Sequence, residues 1–351
     1  MFDDKTIQLI RSQVVQMEKL GQLTSEVLEI IYEKRLFKLF IPDELNGRMT
    51  SFPEAIQLFE DAAWIDGSFG WLVQIGSGAG FFVTTMKEKL AAEVFTKQDV
   101  YIAGSDRPNG IAQKVDGGYI VTGSWPFCSG SMHATIFTAN CILETDDDRN
   151  GTIQAFAFTP EQVKIEQDWH AFGLKATNSY TIHVKDAFIS EERVFDAYHP
   201  HFYYDDPVFH YPFVPFAEAN IAATTIGIAR HFFDEARAFA LTKKKNWGSA
   251  RYTFVTNKIE EMEPPFNAAV RAFHQAVEQS WMTHVSGKEC SEEELQAISK
   301  QSKVAAQHAV HGAQMLFRYL GMDAIMENTN INRIYRDLHT ASQHKLLVSY
   351  D

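Results

Sequence analysis

The hydrophobic period changes twice along this chain, and that double change limits the folds open to it. Ile7, Ile10, Val14 and Met17 recur at the spacing of one helix face. Thr24 opens a second helix over Val27, Leu28, Ile30 and Ile31, expected to end before Pro42. Ser51 before Pro53 opens a third, with Ala55, Ile56, Phe59, Ala62 and Ala63 on one side. From about residue 99 the period falls to two. Tyr180, Ile182 and Val184 alternate with Thr181, His183 and Lys185, and Phe156 and Phe158 alternate similarly. Asp116-Gly117-Gly118, between two such runs, reads as a hairpin turn. After a proline- and aromatic-rich stretch from His199 to Phe213, the helix period returns, most plainly at Ala309, Ala313, Leu316 and Leu320. Pro264-Pro265 and Ser286-Gly287 are expected to cut this last part into several helices. The expected plan is a mainly α chain with a central β domain: residues 1–98 helical, 99–197 a small β-barrel or sandwich, 198–351 helical.

Composition narrows the function. Lys and Arg number 32 against 45 Asp and Glu, a formal charge of −13, so the chain has no basic field to draw nucleic acid. Three cysteines at scattered positions, Cys128, Cys141 and Cys290, give neither a disulfide framework nor a zinc pattern. The opening MFDDKTIQLIRSQ lacks the apolar run of a signal peptide, and no stretch reaches the ~18 apolar residues of a membrane span. A cytoplasmic protein without nucleic-acid or membrane partners is expected. Aromatic residues make up 13%, 27 of them Phe, which suits broad apolar packing or a pocket for a flat ligand.

General signatures mostly fail. Gly76, Gly78 and Gly80 look like a dinucleotide loop, but Phe81 stands where the third glycine belongs. P-loop, HExxH and GxSxG motifs are absent. His308 and His311 share a helix face without a carboxylate pair, so no metal is expected. Lys243-Lys244-Lys245 reads as a solvated helix end.

The middle part carries Pro108-Asn-Gly110-Ile-Ala112, then Gly117-Gly118-Tyr119, then Trp125-Pro-Phe127-Cys128-Ser129-Gly130, and later Trp169-His-Ala-Phe-Gly173-Leu-Lys-Ala-Thr177-Asn-Ser179. Upstream stands Asp66-Gly67-Ser68-Phe-Gly70-Trp71; downstream stands Arg333-Ile-Tyr-Arg336-Asp337, followed by His344. This ordered series resembles the acyl-CoA dehydrogenase superfamily, in particular its reduced-flavin-dependent, two-component monooxygenase branch. The resemblance implies a helical–β–helical fold and a flavin, FAD or FMN, in a cleft often completed by a neighbouring subunit of a homotetramer. It implies that Trp125, Phe127, Ser129, Trp169, Thr177 and Ser179 bind the cofactor, with Ser129 near flavin N5. Trp71 and Gln74 would lie on the substrate side.

Within the superfamily, acyl-CoA dehydrogenases use a carboxylate base, most often in a Y-E-G loop after the terminal R-D segment. Here that place reads Thr340-Ala-Ser-Gln-His344-Lys345, without Glu. Glu218 lies near a second base location, and its plain reading is an acidic residue at a helix start. His344 matches the branch histidine, and an imidazole suits proton transfer near neutral pH. His344 and Ser129 are thus the expected catalytic residues, while Arg336 and Asp337 are expected to pair and fix their helix. The branch's second histidine, after the tryptophan of the D-x-S-x-x-W helix, is missing, so either the substrate-side chemistry differs or Gln74 or Ser77 contacts the substrate. The resemblance therefore implies a monooxygenase using reduced flavin from a separate reductase and O₂ on a small organic, aromatic or heteroatom-containing, molecule. The alternatives are an acyl-CoA dehydrogenase with bound FAD, or a family member that binds flavin or acyl groups without turnover.

Overall fold

In a computed structural model, residues 2–144, 151–197, 199–201 and 203–348 are described. The chain opens with α1 (Asp4–Leu20), α2 (Ser25–Glu33), α3 (Phe52–Ile65), α4 (Gly67–Gly78) and α5 (Glu88–Phe95). Asp3 caps α1 by accepting from the Thr6 amide at 2.8 Å, and Gly21 closes it at φ 69°. Its buried face is Ile10, Val14 and Met17, as the spacing predicts. α2 stops at Glu33, well short of Pro42, because Arg35 turns into the left-handed region at φ 51°. Ser51 and Glu54 form a capping box on α3, with proline in its first turn. One extended residue, Asp66, breaks α3 from α4 and caps the latter by accepting from the Phe69 amide at 3.0 Å.

Seven strands follow: β1 (Ile102–Val115), β2 (Gly118–Cys128), β3 (Ile136–Glu144), β4 (Ile153–Phe158), β5 (Lys164–Glu166), β6 (Tyr180–Ser190) and β7 (Val194–Phe195). They form one mixed sheet in the linear order β5-β6-β2-β1-β3-β4-β7, in which β1 and β3 run parallel and the other pairs antiparallel. The β1–β2 hairpin turns at Gly117, φ 73°, where the sequence places it. Two alternation readings need correction. Thr181 is buried although its strand neighbours predict exposure, because its amide and hydroxyl both bond the Asp168 carboxylate, at 2.8 and 2.6 Å. In β4, Ala155, Phe156, Ala157 and Phe158 are all buried, so this strand is covered on both faces.

The chain closes with α6 (Phe213–Val285), α7 (Glu292–Leu320) and α8 (Asn330–Ala341). The expected break at Pro264-Pro265 is absent. Both prolines sit on an exposed face with Glu260 and Glu261, where the carbonyls that proline leaves unpaired are open to solvation rather than buried. The break falls instead at Gly248, φ 70° and ψ 161°. The α7 stripe Ala309, Ala313, Leu316 and Leu320 is buried as predicted. The core runs from the N-terminal helices into α6, α7 and α8: α6 meets α3 through the Phe52–Phe216 ring contact, and the segment before α3 through Phe40–Phe216. The expected boundary between residues 197 and 198 falls at Tyr198, outside the described residues. Among the described residues no helix is long and apolar enough to cross a membrane.

Candidate active site

Three segments distant in sequence converge where β2 ends. The β2–β6 register shifts between Trp125 and Cys128, and inside that bulge Phe127 takes a left-handed backbone at φ 66°. A bulky residue there is strained, and strain of this kind concentrates at functional sites. The consequence is a ring turned outward, 58% exposed, meeting Trp169 edge to face at 6.2 Å. Trp125, two residues earlier, does not join it. Its indole is fully buried in the sheet, donates to the Asn140 carbonyl at 3.0 Å and lies over Gly110 and Gly123. Strand alternation with the bulge separates the two aromatics.

Behind Phe127 runs a chain of hydroxyls. Trp71 Nε1 donates to Ser129 Oγ at 3.1 Å, Ser129 Oγ is 2.8 Å from Ser179 Oγ, and Ser179 Oγ is 2.7 Å from Thr177 Oγ1. Thr177 Oγ1 donates to the Leu174 carbonyl at 2.8 Å, and Trp169 Nε1 donates to the same oxygen at 3.0 Å. Thr177 and Ser179, expected to bind the cofactor, are both buried and joined to Ser129 through these bonds.

The other wall is α4 and the segment after α8. Trp71 lies 6.0 Å from the His344 ring. Burial, reinforced by the Lys345 charge and opposed by Asp106, lowers the His344 pKa to about 4. His344 Nδ1 accepts from the Leu346 amide at 3.4 Å, which leaves the proton on Nε2. Lys345 bonds Asp106 of β1 at 2.5 Å, tying this segment to the sheet. Gln74, one turn beyond Trp71, is 4% exposed, and its Oε1 is buried without a partner. Ser77 is used elsewhere, donating to the Leu36 carbonyl.

The predicted Arg336–Asp337 pair does not form, since adjacent helix residues point in different directions. Arg336 reaches Glu18 at 2.6 Å, Asn332 at 2.8 Å and the Phe172 carbonyl at 3.0 Å. Asp337 accepts from the Leu174 amide at 2.6 Å. Both hold the 172–174 turn, where a Cβ on Gly173 would lie 2.2 Å from the Arg336 carbonyl. Burial, with repulsion from nearby Asp66, pushes Asp337 up to about 7, against the Leu174 amide and Arg333. This buried carboxylate pair was not foreseen as a pair, although both residues stand in the motifs that carry the resemblance. Glu218 is engaged by Ser299 and by Lys303 at 3.2 Å.

Residues 219–349 match the family model "Acyl-CoA dehydrogenase, C-terminal domain". The chain is 24% identical to an indole-3-acetate monooxygenase of Acinetobacter baumannii, over 93% of this chain and 84% of that one. It is 26% identical to the flavin-dependent monooxygenase oxygenase subunit HsaA of Rhodococcus jostii, over 97% and 92%. The solved structure of XiaF from Streptomyces, in complex with FADH2 and glycerol, superposes with a TM-score of 0.86 at 20% identity, covering 98% of this chain and 89% of that one. The likeness to the acyl-CoA dehydrogenase family thus lies in residues 219–349, and the monooxygenase relatives extend over nearly the whole chain. Both of these relatives are named monooxygenases, and the second is named the oxygenase subunit of a flavin-dependent one. That agrees with the missing Y-E-G glutamate and with the engagement of Glu218 by α7.

Proposed function

We propose that this chain is the oxygenase component of a two-component flavin-dependent monooxygenase, acting with reduced FAD or FMN and O₂ on a small aromatic molecule. The observation that carries the reading is the meeting of Ser129, Trp71 and a neutral His344 beside an outward-turned Phe127. The residues fit a flavin. Phe127 and Trp169 offer aromatic walls, and Ser129 keeps an unused lone pair at the end of its hydroxyl chain. When bound, the reduced cofactor supplies the electrons that activate O₂; the protein supplies position and exclusion of water. His344, neutral with Nε2–H, would donate a hydrogen bond toward developing negative charge or take a substrate proton through a tautomer change. Gln74 Oε1 seeks a donor, which a substrate O–H or ring N–H provides. Trp125 would serve the cofactor site only by supporting the bulge that carries Phe127.

The oxygenase components among the relatives support a separate flavin reductase as partner. We take residues 1–98, 99–197 and 198–351 as three domains, a division supported by the change from α5 to β1 and by the long α6. A cytoplasmic homotetramer completes the reading, supported by exposed apolar side chains such as Phe254, Met322 and Ile325.

The test supplies protein with reduced flavin from any flavin reductase and ¹⁸O₂, against a panel of phenols and indoles. The expected result is a product carrying one labelled oxygen. Anaerobic reduction of a tightly held FAD by an acyl-CoA, with no labelled product, would overturn it in favour of a dehydrogenase.

A further inference from the structure

We infer that Thr177 and Ser179 are positioning residues that fix the Ser129 hydroxyl as a hydrogen-bond acceptor, so that the site prefers reduced over oxidised flavin. The inference rests on the flavin reading above and follows from counting protons. A serine or threonine hydroxyl has one proton to give. Thr177 gives its proton to the Leu174 carbonyl at 2.8 Å; if it did not, two oxygens would face each other lone pair to lone pair at that distance. Thr177 Oγ1 must then accept in its 2.7 Å contact, so Ser179 donates to it. Ser179 has no second proton, so in the 2.8 Å contact Ser129 donates to Ser179. The fourth bond has a fixed direction already, because an indole N–H only donates: Trp71 Nε1 gives to Ser129 Oγ. Ser129 therefore has its proton in use and one lone pair to offer.

The anchor of this ordering is well held. The Leu174 carbonyl also receives Trp169 Nε1 at 3.0 Å and the Thr177 amide at 3.1 Å, and Leu174 sits at a left-handed φ of 51°. Its own amide is fixed by Asp337 at 2.6 Å. Thr177 is wholly buried and Ser179 4% exposed, so bulk water is a poor competitor for these bonds. With flavin N5 against Ser129, as the family resemblance implies, the contact presents a hydrogen when the flavin is reduced and a lone pair when it is oxidised. An acceptor-only Ser129 attracts the first and repels the second. An oxygenase fed by a separate reductase needs that discrimination, since it must take reduced flavin and give back oxidised flavin.

Anaerobic titration with reduced and with oxidised FMN and FAD gives the ratio of dissociation constants. Wild-type protein is expected to bind the reduced form at least about tenfold more tightly, the scale of one hydrogen bond. Ser179→Ala frees the Ser129 proton and is expected to cut that ratio about tenfold, by tightening the oxidised form and loosening the reduced one. Thr177→Val should do the same, and Thr177→Ser, which keeps the hydroxyl, should restore the wild-type ratio. If Ser179→Ala and Thr177→Val weaken both redox forms equally, the inference fails and the flavin reading stands. A wild-type protein that binds neither form overturns the flavin reading and this inference together.

Discussion

At Gln74 a carbonyl oxygen is buried without a donor, one helical turn from the tryptophan that holds Ser129. An acceptor desolvated in this way lowers stability unless a ligand meets it. Gln74→Leu is therefore expected to leave the thermal midpoint unchanged or slightly raised, while raising the KM for substrate about tenfold with little change in kcat. Steady-state kinetics beside calorimetry checks both halves; a loss of stability would mean that Gln74 is structural. Two titrating residues make opposite pH statements. His344, lowered from 6.5 to about 4 by burial, contributes stability that is present above about pH 6.5 and lost as pH falls through 4. Asp337, raised from 3.8 to about 7 by burial, contributes stability that is present below about pH 4 and lost as pH rises through 7. Asp337→Asn keeps the acceptor for the Leu174 amide without the charge. Its stability relative to wild type should rise progressively between about pH 4 and 7. Thermal melts across that range check it, and a difference independent of pH would refute the assignment.

At the scale of elements, the 172–174 turn is the piece on which the site depends. It carries the Leu174 carbonyl that anchors Trp169 and the hydroxyl chain, and it lies against the backbone of α8. Gly173→Ala places a Cβ 2.2 Å from the Arg336 carbonyl and carbon, both main-chain atoms that cannot step aside. The expected cost is about 1–3 kcal/mol of stability, with flavin binding weakened in both redox forms, measured by melts and titration. How far such elements were legible depends on whether local chemistry decides them. The Gly117 hairpin, the α7 stripe and the α1 face follow from turn chemistry and period alone, and the structure has them where the sequence puts them. The break in α6 was not legible, because whether Pro264-Pro265 interrupts a helix depends on which face meets water. Trp125 and Phe127 stand two apart and would share a strand face. Only the bulge, which no residue pattern announces, sends one inward and the other out. Ser129, Trp169 and His344 are candidates that an ordered resemblance names; the bonds around them, made by a backbone carbonyl and a buried carboxylate, have no signal in the sequence.

Over the whole molecule, the helical–β–helical order brings α4, the end of β2 and the segment after α8 to one place, though the last follows the other two by roughly two hundred residues or more. Long-range ties close it: Arg336 to Glu18, Asp337 to Leu174 and Lys345 to Asp106. In the proposed function this arrangement receives reduced flavin and governs its reaction with O₂. The most direct measurement mixes protein and anaerobically reduced FMN or FAD with oxygenated buffer and follows the return of the oxidised-flavin absorbance. A delayed return is expected, slower than for free flavin, with Ser129→Ala and His344→Ala each shortening the delay at least about tenfold. A return that matches free flavin at saturating protein would contradict it.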